Sequence, residues 1–329
     1  MNRKISQTAA LAACSVSIDL PGRRDFRYRG TNRRWLSLLS ISGFLFLHSL
    51  AAYAGTGMEA TIAYVNLYGD PAGSPPRCCS SCDDVSWGDN FAGVFAGKLT
   101  DLEYDSIITP SNAGVDHDEW ADKETNSHGT DHLSPYGVDT TDVFFIYAHG
   151  ATDNEGGAYF SRFWAGDPSP ENACEIRYGE SGSFPDVYWG DGDLEYGFMK
   201  SCQSLQRETF LQDAYDSLTI GQSQFKLLAG WHGNTYDSMF DYLAFTFWLQ
   251  GVDYNGIGED WVLELSDINP DEADNCATVV VHAANEADAD HILYYGGLLD
   301  YQHGYGGNGF SKLYYAEGCD PAGGNPLPD

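Results

Sequence analysis

Two short stretches of the chain could carry covalent chemistry. The run "DVFFIYAHG" ends on His149 and Gly150, and "LEYGFMKSC" ends on Cys202. A cysteine attacks as its thiolate, and an imidazole titrates close enough to neutrality to take the thiol proton. A glycine beside the imidazole lets the backbone approach a substrate and aim an amide N–H at a developing oxyanion. His149, Cys202 and Gly150 together would perform acyl transfer through a thioester. A helix starting at Cys202 would add the positive end of its dipole, so the thiol should ionise below the pH usual for cysteine. His232-Gly233, closing the run "FKLLAGWHG", is a rival imidazole of the same form.

Other residues invite weaker readings. Asp191 and Asp193 in "YWGDGDLEYG" suit either an acidic pocket for a basic substrate side chain or an ordinary Asp-Gly turn. His117, His128 and His132 stand among Asp116, Asp118 and Asp131, a set that could take a divalent cation such as Ca2+, although its irregular spacing suits a solvated loop better. "CCSSC" at residues 78–82 has no second ligand pair at zinc spacing, so disulfides are expected there. Leaving Cys202 reduced puts Cys78, Cys79, Cys82, Cys174, Cys276 and Cys319 in three bridges. Cys78 and Cys79 should not pair with each other, because vicinal bridges are strained.

The elements that must position these residues follow from hydrophobic period. Val143 to Ala148 is a continuous apolar run, as in a strand buried on both faces of a parallel sheet. "MEATIAYVNLYG" reads as a strand and "WGDNFAGVFAGKLTDLEY" as a helix, and residues 105–142 read as polar surface loops. "LEYGFMKSC" and "FKLLAGWHG" repeat the buried-strand pattern. Each is followed by helical spacing, the first over "CQSLQRETFLQDAYDSL", the second with Tyr236, Met239, Phe240, Leu243 and Phe247 on one face and Gly251 as its stop. "ATVVVHAAN" supplies a further strand. Alternating strands and helices predict a parallel α/β sheet, whose chemistry gathers at the carboxyl ends of its strands.

An apolar block closed by His-Gly, then another closed by a small residue and Cys, resembles the layout of the clan CD cysteine peptidases, the superfamily of caspases, legumain and gingipains. "FFIYAHG" and "YGFMKSC" match those blocks, and "LLAGWHGNTYDSMFDYLAFTFWLQG" is similar to the strand and helix after the nucleophile in caspase-like CHAT domains. The chain also resembles a group of exported domains of unknown function with the same blocks. The similarity covers about residues 58 to 300, and its specific part is the first two blocks. It implies a caspase-hemoglobinase-like three-layer sandwich with a mostly parallel central sheet. It also implies a Cys202/His149 dyad without an obligatory third member, a peptide or protein substrate, and no required cofactor. Ser201 stands where Ala is usual and Ala148 where many relatives have Gly; neither position carries a reacting atom. Because the histidine precedes the cysteine in that layout, His232 falls to the cleft wall, near substrate, or to a structural role.

Residues 35–54, "WLSLLSISGFLFLHSLAAYA", follow Arg33 and Arg34 and read as a secretory signal cut before Gly55. The run is short for a membrane span. The arginine pair suits twin-arginine export as well as a basic n-region. The expected organisation is a signal over 1–54, one α/β domain with long loop insertions over 55–318 and a flexible tail over 319–329. The protein would be secreted, periplasmic or on the cell surface. Residues 1–54 hold eight of the 17 Lys and Arg and two of the 48 Asp and Glu, leaving 9 basic against 46 acidic residues, a net charge of −37. Such a surface repels nucleic acid and, once the signal is gone, anionic membranes; it favours cations, basic partners or a saline habitat. Two other functions compete with the peptidase. One is a non-catalytic caspase-like binding or surface-structural module with an acidic, cation-binding face; the other is a glycan-active enzyme with paired carboxylates, which has no local motif.

Overall fold

The computed structural model describes residues 57–327 except 69–81, 124–125, 134–136, 156–157, 166–173, 179–186, 188, 191, 207–223, 253–255, 267–274 and 300–309. The expected signal, Cys78, Cys79, Asp191 and most of the helix expected after Cys202 lie outside the described residues. The chain forms β1 (Glu59–Tyr64), α1 (Gly88–Asp101), β2 (Ser106–Ile108) and β3 (Val143–Tyr147), then β4 (Gly150–Glu155), β5 (Ala158–Trp164) and β6 (Glu175–Tyr178). It continues as β7 (Tyr196–Lys200), β8 (Leu227–Trp231), α2 (Met239–Gly251), α3 (Ile257–Leu265), β9 (Ala277–Ala283), α4 (Glu286–Tyr295) and β10 (Phe310–Tyr315).

Seven strands make one sheet in the order β10-β9-β8-β7-β3-β1-β2, parallel from β8 to β2. β9 pairs antiparallel with both of its neighbours. This is the mostly parallel α/β sheet that the alternating elements predict. β2 lies within the segment expected to be loop, and its three residues are too few to show a period.

The apolar runs are continuous because both faces of the sheet are covered. Val143, Phe145 and Tyr147 of β3 join Tyr196, Phe198, Leu227, Ala229 and Trp231 in a core with all four described helices. α1 contributes Phe91, Phe95 and Leu99, and α3 contributes Trp261 and Leu265. Phe144 and Ile146 face the other way, toward Trp120, Phe163, Ile176, Tyr178 and Trp189. Part of that second cover is the antiparallel sheet β4-β5-β6, built from the insertion between His149 and Cys202.

Helix α2 corrects one expectation. Met239, Phe240, Leu243 and Phe247 share a face, but that face is exposed, by 42% to 60%. The buried stripe is Asp241, Phe245, Trp248 and Leu249. Apolar residues stand on both faces of α2, so hydrophobic period alone could not select the inner one.

Cys276 and Cys319 form a disulfide, Cys82 and Cys174 are disulfide-bonded, and Cys202 is free. The tail expected to be flexible is held at several points. The Cys319 bridge anchors it, Leu327 is buried, and the carbonyls of Ala322, Gly323 and Asn325 accept hydrogen bonds from Asn234, Gln203 and His232.

Candidate active site

β3 and β7 are parallel neighbours in register, with Tyr147 opposite Lys200. His149 and Cys202 each lie two residues beyond that pair, over the carboxyl edge of the sheet. Both line one cavity of about 120 Å³, with Val85, Tyr147, Ala148, Lys200, Thr235, Tyr236 and Asp237. Gly150 opens β4 against the same turn: a Cβ there would lie 2.0 Å from Ser201 Oγ and 2.5 Å from the Cys202 carbonyl oxygen. Only a residue without a side chain lets these two backbones approach so closely.

The imidazole of His149 is fixed from two sides. Its Nε2 lies 2.7 Å from the Asp83 carbonyl oxygen, which can only accept, so Nε2 carries a hydrogen and the neutral ring has its lone pair on Nδ1. The ring also packs against Tyr68, with centroids 4.7 Å apart, while the Tyr68 hydroxyl accepts the His149 backbone N–H at 2.8 Å. Burial raises Tyr68 above the ordinary phenol range, so it stays neutral. Asp83 follows the bridged Cys82, so a disulfide lies next to the residue that orients the imidazole.

Cys202 differs from expectation in two respects. It opens a run of turns over 202–205 rather than a helix. Its thiol donates to the Thr235 carbonyl at 3.5 Å and is raised above the usual cysteine range, because burial disfavours the thiolate more than backbone hydrogen bonding at Thr235 and the Lys200 charge favour it. The helices that present N-termini here are α1 and α2. Asp237 binds the first: its carboxylate accepts the Ser86 N–H at 2.7 Å, the Trp87 N–H at 3.2 Å and the Tyr147 hydroxyl.

Lys200 is 2% exposed, with its ammonium 4.6 Å from the Trp231 ring centroid and 5.6 Å from that of Phe91. It donates to Thr235 Oγ1, to the Tyr236 carbonyl at 2.9 Å and to Asp241 at 3.3 Å. Burial pulls its pKa down, against the pull of Asp241. Lys200 thus ties β7 to the segment 235–237 that forms the facing wall of the cavity.

The structure brings His149, Gly150 and Cys202 together and leaves the other candidates elsewhere. His232 is fully buried, its ring bonded at 2.7 Å to the Asn325 carbonyl under the tail, and does not line the cavity. Asp193 precedes β7, whereas Cys202 follows it. At about 3.3 Å per residue the two ends of that five-residue strand are ~13 Å apart. Asp193 is an exposed turn residue whose N–H donates to the Asp139 carbonyl. His117 and His132 contact their neighbours Asp118 and Asp131. Among the described residues no group of three or more His, Cys, Asp or Glu is placed to hold a metal ion. Lys200 and Asp237 were missed from sequence. The signal for the first was a lone charge inside a buried apolar run, which demands a counter-charge.

A family model described as a domain of unknown function, DUF6345, matches residues 76–305. The matched span includes His149, Lys200, Cys202 and Asp237. No curated protein matches the chain.

Proposed function

The chain belongs to the DUF6345 family, and we propose that it is an exported cysteine endopeptidase with a caspase-like three-layer fold, acting through Cys202 and His149. The observation that carries the reading is the convergence of a free cysteine and an oriented imidazole. They follow adjacent, in-register parallel strands into one cavity, and the imidazole keeps its Nδ1 lone pair. Because burial holds Cys202 as a thiol, the proton moves to Nδ1 as sulfur attacks the scissile carbonyl, not beforehand. The backbone N–H groups of Gly150 and Cys202 receive the oxyanion. Collapse of the tetrahedral adduct breaks the C–N bond. His149 delivers its proton to the leaving nitrogen as that bond breaks. It then takes a proton from the water that attacks the thioester and passes it to the departing sulfur, releasing a carboxylic acid and the thiol.

One observation favours a second reading. A thiol raised by burial and bonded to the Thr235 carbonyl is also what a packed, non-catalytic cysteine in a binding module would show. Incubation of the chain, freed of residues 1–54, with casein and a mixed peptide library separates the two. Hydrolysis should fall by at least ~100-fold in Cys202→Ala and in His149→Ala. Turnover that survives Cys202→Ala, or no hydrolysis between about pH 4 and 9, would leave the module reading.

A further inference from the structure

Asp237 is exposed and lines the cavity that holds Cys202 and His149. Trp87 N–H and the Tyr147 hydroxyl occupy Oδ1, and Ser86 N–H occupies one position on Oδ2. A carboxylate offers about four acceptor positions, so one remains, on Oδ2. The three donors hold the group in a single orientation before anything binds.

The charges around it are unequal. Lys200 is the one lysine or arginine among the described lining residues, and its ammonium is taken up by Asp241, Thr235 and the Tyr236 carbonyl. The charge left unmatched in the wall is that of Asp237. The N-terminus of α1 offsets it only in part, since a helix end is equivalent to about half a unit charge. At about 120 Å³ the cavity is well below the ~300 Å³ of small-molecule pockets, and suits one inserted side chain.

We infer that this cavity accepts a cationic side chain, an ammonium in preference to a guanidinium, with Asp237 as its counter-charge. A single open acceptor position suits a point-like ammonium, whereas the guanidinium fork is best met by two. The substrate is then a polypeptide cut beside lysine. That substrate rests on the peptidase reading; the charge selection does not.

The test uses Cys202 as its own reporter. Three methanethiosulfonates of similar size, carrying an ammonium, no charge or a sulfonate, are timed against the unreduced protein in ~1 M salt, where the Debye length is about 3 Å and remote carboxylates are screened. The thiolate displaces methanesulfinate in each case, and mass spectrometry reads the mixed disulfide at Cys202. Relative to the same ratio on a small free thiol, the ammonium reagent should outrun the neutral one by ~10-fold, the scale of one charge-assisted hydrogen bond. Asp237→Asn should remove the preference. A wild-type ratio equal to that of the free thiol overturns the inference whether or not the variant folds. Preference without any peptide hydrolysis would sink the peptidase reading and leave the cation site. Hydrolysis by Cys202 with no advantage of lysine peptides over glutamine peptides would do the reverse.

Discussion

A methyl group at residue 150 would collide with the carbonyl oxygen of Cys202. The Ser201 hydroxyl, also in the way, can rotate aside; the Cys202 carbonyl moves only if Cys202 moves. Gly150→Ala should therefore slow both alkylation of Cys202 and peptide hydrolysis, by ~10- to 100-fold for a displacement near 1 Å. Adding Ser201→Gly should not restore them, because the carbonyl contact persists. Full recovery in the double variant would mean that the hydroxyl alone was obstructive. His149, Gly150 and Cys202 were legible because each stands where an apolar run stops, and in a parallel sheet such stops share an edge. Asp193 was misplaced by the same logic applied to the wrong end: it precedes its run, and so lies at the amino edge. Lys200 announced only its need for a counter-charge, and Asp237 announced nothing, because their partners are distant in sequence: Asp241 of α2 for the first, and Ser86, Trp87 and Tyr147 for the second. Nothing in the spacing of "YGFMKSC" says which carboxylate meets its lysine.

The rotation of α2 about its axis illustrates the same limit among elements. With apolar residues on both faces, the choice falls to Asp241, which is 3% exposed and reaches Lys200, while Phe245, Trp248 and Leu249 follow it into the core. The strands were legible because each is a short apolar run; the inner face of α2 was not, because a carboxylate begins its buried stripe. The pair should be a strong determinant of stability, since removing one partner strands a charge in the interior. Lys200→Met is expected to cost about 3–5 kcal/mol in urea unfolding, and pairing it with Asp241→Leu to recover part of that. Recovery stays partial because Asn275 Nδ2, now 2.6 Å from Asp241 Oδ1, would lose its acceptor. If Lys200→Met alone is neutral, the ion pair does not fix α2, and the apolar residues choose the face unaided.

Across the whole molecule, 48 carboxylates against 17 basic side chains make stability a question of pH. Burial pushes Asp142 up to about 6 and Glu119 up to about 7, with like charges nearby adding to both. Burial also raises Glu195, against the pull of Lys226 at 2.8 Å. Between their ordinary values and these raised ones, the folded protein holds protons that the unfolded chain releases. Their stabilising contribution is thus complete below about pH 4 and is lost as pH climbs through 6 to 7. His282 works in the opposite sense. Burial pushes it down to about 3, so below its ordinary 6.5 the unfolded chain takes up a proton that the folded protein refuses, and stability falls as pH drops. With more carboxylates raised than imidazoles lowered, the thermal midpoint should peak at about pH 4 and decline toward pH 8, where general repulsion is also greatest. Raising salt from about 0.01 M to 1 M at pH 8 should recover part of that decline, because the Debye length shrinks from about 30 Å to 3 Å. Melts across this pH range at the two ionic strengths check both expectations. A midpoint that keeps rising to pH 8 and ignores salt would mean that bound cations or local pairing already neutralise the acidic surface.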